Sequence, residues 1–271
     1  MSMNFFQQAF KFYINSSLHV ALGVVSFTLA TFWNFNLIAD KDIVVFVFFS
    51  TVIAYNFVKY FPVLKPKRGT MTIELKRIAA LSFLSLLPLG MTLFSMTFKT
   101  FLFMACLGII TLLYALPFLP KTKNLRDVSG LKIFVIAFVW TGATVGLPLL
   151  EAGQGYKYLT TEITYYALSR FFLIIALTIP FEIRDSKLDR PYLKTLPQWV
   201  GVRYTKMIGV LLSLSSLTFL VLSGKDLASF SLILYVAIIG FIFFSNQDNS
   251  LYYSSFWVES IPLLWLVFFF F

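Results

Sequence analysis

The chain has 271 residues, 59% hydrophobic and 19% aromatic but only 13% charged, about half the charged share of an ordinary soluble domain. Its formal net charge is +10. The basic residues flank apolar runs, so this surplus points to an anionic lipid surface and not to nucleic acid. One cysteine, Cys106, and one histidine, His19, exclude an intrachain disulfide, a cysteine metal site and paired-histidine ligation of haem or zinc.

Residues 1–15 carry one lysine and no small-residue cleavage site, so the first apolar run is expected to stay as a membrane helix. Nine apolar runs of near-spanning length follow, at about 17–38, 43–62, 78–98, 100–119, 132–150, 162–181, 204–223, 228–245 and 251–271. They are continuously apolar, which predicts helices and not alternating porin-type strands. The expected fold is all-α: one polytopic membrane bundle of about nine transmembrane helices over residues 1–271. Seventeen Lys and Arg residues fall in the N-terminal arm and the loops after runs two, four and six, four fall on the other side, and Arg170 lies inside run six. The positive-inside rule then makes the N-terminus and the basic loops cytoplasmic and puts Phe271 on the opposite face. A bacterial inner membrane is the expected location. Long basic connections after runs two and six suggest two related four-helix units with a ninth helix appended, although no residue-level repeat accompanies them.

Polar residues within or beside these runs need individual readings. His19 reads as an interfacial group at the start of the first run. Asn56 can exchange hydrogen bonds near the end of a bundle cavity, whereas Tyr55 and Tyr60 read first as part of an interfacial aromatic belt. The stretch Gly142-Ala-Thr-Val-Gly146 permits close helix contact. Arg170 and Glu259 should face the bundle interior, pair or snorkel, with an ion pair between them as one arrangement. Pro180 is expected to loosen the end of its helix.

The most charged passage directly after an apolar run is Pro180 to Lys206. Asp185 and Asp189 are four residues apart, so on a helix they stand one turn above each other, with Cβ atoms about 5–6 Å apart. Two such carboxylates repel, and magnesium, which takes one or two carboxylates and completes its shell with water and phosphate oxygens, relieves them. Arg184, Lys187, Arg190 and Lys194 ring the pair. An acidic pair inside a basic ring suits a metal-bridged polyphosphate.

This layout resembles the UbiA superfamily of intramembrane aromatic prenyltransferases. The segment Arg184-Asp185-Ser-Lys-Leu-Asp189-Arg190 is similar to that family's second aspartate motif, after helix six, and Lys194-Thr-Leu-Pro197 with Gly201 resembles the family's next segment. The stretch Leu113-Tyr114 through Pro120-Lys121 resembles the family's junction after helix four. The first motif departs from the pattern. Asn56 is retained, but Tyr60 and Leu64 stand where aspartates stand in the family, and no Asp or Glu occurs between Asp42 and Glu74.

The resemblance implies a magnesium-dependent transfer of an isoprenyl group from its diphosphate to an aromatic or other hydrophobic acceptor. It implies that Asp185 and Asp189 bind magnesium and act in catalysis, and that Asn56, Lys121, Lys123, Arg126, Arg184, Arg190 and Lys194 meet the diphosphate, with Lys59 as a further cation. Membrane lipids would surround the site. Two other readings stay open: a non-catalytic homologue that binds a polyprenyl lipid or a partner protein, and a small transporter using Arg170 and Glu259.

Overall fold

A computed structural model of the chain describes residues 4–61, 71–118, 124–128, 130–154, 160–187, 195–225 and 229–268. Every regular element among them is helical: α1 Phe5–Asn15, α2 Leu18–Asn34, α3 Lys41–Tyr60, α4 Ile73–Leu84, α5 Leu86–Thr92, α6 Phe98–Ala115, α7 Leu131–Thr141, α8 Leu147–Leu149, α9 Thr161–Asp185, α10 Leu196–Leu222, α11 Ser229–Phe244 and α12 Ile261–Phe268. Among the described residues six stretches are long and apolar enough to cross a membrane: Lys41–Tyr60, Ile73–Thr92, Phe98–Ala115, Leu131–Gly153, Thr161–Asp185 and Leu196–Leu222. The pair α1 and α2, bent by 55°, would make a seventh. The protein therefore has the helices of an integral membrane protein.

Prolines account for most of the interruptions. A proline has no N–H for the carbonyl four residues back and crowds it. Pro88 stands four residues after Leu84, where α4 ends, and Pro262 stands four after Val258, where a π-helical turn at Tyr253–Val258 ends ahead of α12. Pro148 likewise frees the Thr144 carbonyl inside the π-helical stretch Gly142–Gly146, and that carbonyl accepts the Thr31 hydroxyl of α2 at 2.6 Å. Helix α9 instead runs unbroken through Pro180 to Asp185. The loosening expected there does not occur, because Ile179, Pro180 and Ile183 are buried and held by neighbours.

Helix α9 lies at the centre, packed against α7, α10 and α11. Its Leu173, Ile175, Ile179 and Ile183 form one core with Phe27 of α2, Leu234, Ile238 and Ile242 of α11 and Ile261 of α12. Lipid is as apolar as these side chains, so close packing and interhelical hydrogen bonds hold the bundle. At the α9–α10 seam the Ser216 hydroxyl donates to the Ser169 carbonyl at 2.8 Å and lies 2.7 Å from the Tyr235 hydroxyl. A second core of Val24, Phe32, Ile43, Val47, Met104 and Leu147 joins α2, α3, α6 and α8.

Two details differ from the sequence expectations. The N-terminal arm contains helix α1, opened by an Asn4–Gln7 capping box, with Phe5 and Phe6 exposed. Helix α10 begins at Leu196 and breaks at Gly201, whose φ of 82° lies in the left-handed region that glycine adopts without penalty. His19, in the first turn of α2, is buried among protein side chains. Its Nε2 meets the Phe256 carbonyl at 3.0 Å and must carry the proton, so Nδ1 accepts the Tyr13 hydroxyl at 2.8 Å.

Candidate functional site

Helices α3, α6 and α7 line a partly open cavity of about 500 Å³ whose walls are almost wholly apolar, including Phe46, Ile53, Met104, Leu107, Val139 and Leu147. Its lining residues on α3 run from Phe46 to Val58, about 18 Å at the helical rise. The volume lies within the roughly 300–1,000 Å³ typical of small-molecule sites. The wall between α6 and α7 depends on two glycines. A Cβ on Gly142 would sit 2.7 Å from Leu107 Cδ2, and one on Gly146 would sit 2.7 Å from Phe103 Cε1, so these residues permit the close contact expected of them.

Ser50, Thr51, Thr111 and Tyr114 also line the cavity, and one polar pair joins α3 to α7. The Trp140 indole N–H donates to the Tyr55 hydroxyl at 2.7 Å. Tyr55 thus turns inward as a cavity residue, and its expected place in an interfacial belt is corrected. It also lies in the electrostatic field of Glu259, which is in turn within the field of Lys59 and Arg184. The lining extends to Val58, next to Lys59 in the last turn of α3, at the end of the bundle where α2, α4, α10 and the Tyr253–Val258 turn begin and α3 and α9 end.

At that end the expected site residues divide. Asn56 is buried; it accepts the Ser17 hydroxyl at 2.9 Å and donates to Ser82 at 2.9 Å, which ties α3 to the start of α2 and to α4. Tyr60, where the family pattern has an aspartate, donates to the Asn15 carbonyl at 2.9 Å, and Lys59 donates to the same oxygen at 3.3 Å. The Arg184 guanidinium makes a two-pronged pair with the Asp185 carboxylate, 2.7 and 3.0 Å, and its Nη1 donates to the Leu251 carbonyl at 3.2 Å. Arg126 sits in a short 3₁₀ turn, Leu125–Asp127, after α6. Asp189, Lys121, Lys123, Arg190 and Lys194 lie outside the described residues.

Magnesium takes one or two carboxylates; of the expected pair Asp185 is described and Asp189 is not. Among the described residues no group of three or more His, Cys, Asp or Glu side chains gathers, and both oxygens of Asp185 are already taken by Arg184.

The arrangement suggested for Arg170 and Glu259 is also corrected. Arg170 stacks on Phe27, 3.9 Å from guanidinium carbon to ring centroid, and donates to the Tyr166 hydroxyl at 2.8 Å. The buried acid that does pair is Glu182, with Lys132 at 2.7 Å. That pair has no sequence signal, because nothing in the order of residues says that the start of α7 meets the end of α9. No protein-family model, no curated protein and no solved structure matches this chain.

Proposed function

We propose that the chain is a UbiA-like membrane protein that takes an isoprenyl diphosphate, with the isoprenyl tail in the cavity between α3, α6 and α7 and the diphosphate at the charged end. Transfer of the isoprenyl group to a hydrophobic acceptor is the activity assigned to that geometry. One observation carries the reading: an apolar chamber of about 500 Å³ whose lining reaches Val58, next to Lys59 in the last turn of α3. Such a shape matches a ligand with one long apolar end and one anionic end.

The chemistry rests on the groups present. Breaking the carbon–oxygen bond leaves an allylic cation on the chain and negative charge on the diphosphate. In this reading Lys59, in the last turn of α3, and Arg184, in the last turn of α9, meet the departing charge, and the faces of Tyr55 and Trp140 meet the cation. The apolar walls keep water from the cation until the acceptor's electron pair forms the new bond and the acceptor loses a proton. Nine crossings in two four-helix units and one more, with the basic loops on the cytoplasmic side of a bacterial inner membrane, belong to this reading.

A second reading is favoured by a specific observation. Asn56 and Tyr60 are engaged in contacts within the protein, and Asp185 is engaged by Arg184. A non-catalytic protein that binds a polyprenyl lipid needs the chamber but not free carboxylates. The two readings separate by binding of a long-chain isoprenyl diphosphate to purified protein, with and without magnesium. The variants are Asp185→Asn with Asp189→Asn, and Ala143→Phe, which fills the chamber. Magnesium-dependent binding lost in the double variant supports transfer. Binding that ignores magnesium and both aspartates but is lost in Ala143→Phe supports the lipid-binding reading, and no binding by the unmodified protein overturns both.

A further inference from the structure

Arg170 is 5% exposed, and its Nη1 has no hydrogen-bond partner. Nη2 is used by the Tyr166 hydroxyl, which also receives the Asn34 amide at 3.4 Å. Among the described residues no carboxylate pairs with Arg170: the nearby acid at that end of α9, Glu162, pairs with Lys225, and Glu182 and Asp185 pair with Lys132 and Arg184. A full positive charge therefore stands inside an apolar bundle with only the faces of Phe27 and Tyr166 to offset it.

Beside this group lies a second, very small space, about 10 Å³, bordered by Asn34, Ser169, Arg170, Ser231 and Trp265. It admits one particle about the size of a water molecule. A chloride ion is slightly larger than water, so the lining side chains must give a little to take it, and a whole carboxylate or phosphate group is larger again. The border is rich in donors, since Arg170 and the indole N–H only donate and the serine hydroxyls can donate. A water molecule would satisfy Nη1 and leave the charge; a single-atom anion would satisfy both.

We propose that this space is a binding site for one halide-sized anion, held by Arg170 and bordered by Ser231 and Trp265, which neutralises the guanidinium and fixes α9 against α2, α11 and α12. The site lies apart from the α3–α6–α7 chamber and does not depend on the prenyl-transfer reading.

The test is thermal unfolding of the detergent-purified full chain as chloride or bromide replaces gluconate at constant ionic strength, which holds screening fixed. The expected result is a midpoint that rises with halide concentration and saturates, as for a ligand of the native state only. Ser231→Ala and Trp265→Phe, which keep the guanidinium, should shift the half-maximal halide concentration upward by about tenfold or more. Bromide in a crystal should give an anomalous peak beside Arg170. Equal midpoints in halide and gluconate, or a halide response that both variants leave unchanged, would overturn the proposal and leave the space to water.

Discussion

Replacing Gly146 by alanine tests the wall of the large cavity directly. The added methyl would stand 2.7 and 2.8 Å from Cε1 and Cζ of the Phe103 ring, a flat group that cannot fold aside as a chain end can. Overpacking of this kind costs about 1–3 kcal/mol. Gly108→Ala on α6 is the reference, since nothing lies within 4 Å of its added Cβ. Both changes bring the same helix-propensity gain of about 0.5–1 kcal/mol, so their difference isolates the steric cost. At about 2–4 °C per kcal/mol, Gly146→Ala should melt about 2–12 °C below Gly108→Ala in the same detergent. Gly142→Ala should fall between them, because the atoms it meets are the methyl tips of Leu107, which also lines the cavity and has space to move into. Adding Phe103→Leu to Gly146→Ala should recover part of the loss. A Gly146→Ala melt within about 1 °C of the reference would refute the close approach of α6 and α7, and with it the shape assigned to the chamber.

Lys132→Met should destabilise the protein by about 3–5 kcal/mol, because it strands the Glu182 carboxylate, 3% exposed, without its partner. Adding Glu182→Leu should restore most of that loss in the same denaturation assay, and failure of the double variant to recover would refute the pairing. Asn56→Leu should cost about 1–3 kcal/mol by orphaning the Ser17 hydroxyl and removing the donor to Ser82, whose hydroxyl keeps its bond to the Ile78 carbonyl. If Asn56 serves the fold and not a ligand, the variant should keep its affinity for an isoprenyl diphosphate under conditions where it remains folded; a selective loss of affinity would place Asn56 at the ligand.

Asp185 shows how far a motif carries without its surroundings. Four-residue spacing points to two carboxylates over one metal, but spacing says nothing about which cation arrives first. In the fold the adjacent Arg184 turns onto Asp185 and takes both oxygens. Tyr55 shows the converse. A tyrosine near the end of an apolar run has the sequence signature of an interfacial belt, and only the position of Trp140 on α7, 85 residues away, turns it into a cavity wall. Helix α1 carries no spanning signature, because Gln7, Gln8 and Lys11 are interspersed among its apolar residues.

The sequence by itself determined that the chain is a helical membrane protein and roughly where its apolar helices lie, because a bilayer demands long, uninterrupted apolar stretches with internally satisfied backbones. Prolines stand four residues after the breaks at Leu84 and Val258, but Pro180 stands inside an unbroken helix, so the fold decided which of them interrupt. Tertiary structure alone decided which helices line the chamber and that Glu182 meets Lys132. It also decided that Arg170 stands without a counter-charge among the described residues. In an apolar solvent, apolar periodicity no longer says which face of a helix turns inward. Partner choice then rests on glycine contacts and on single hydrogen bonds between residues far apart in the chain.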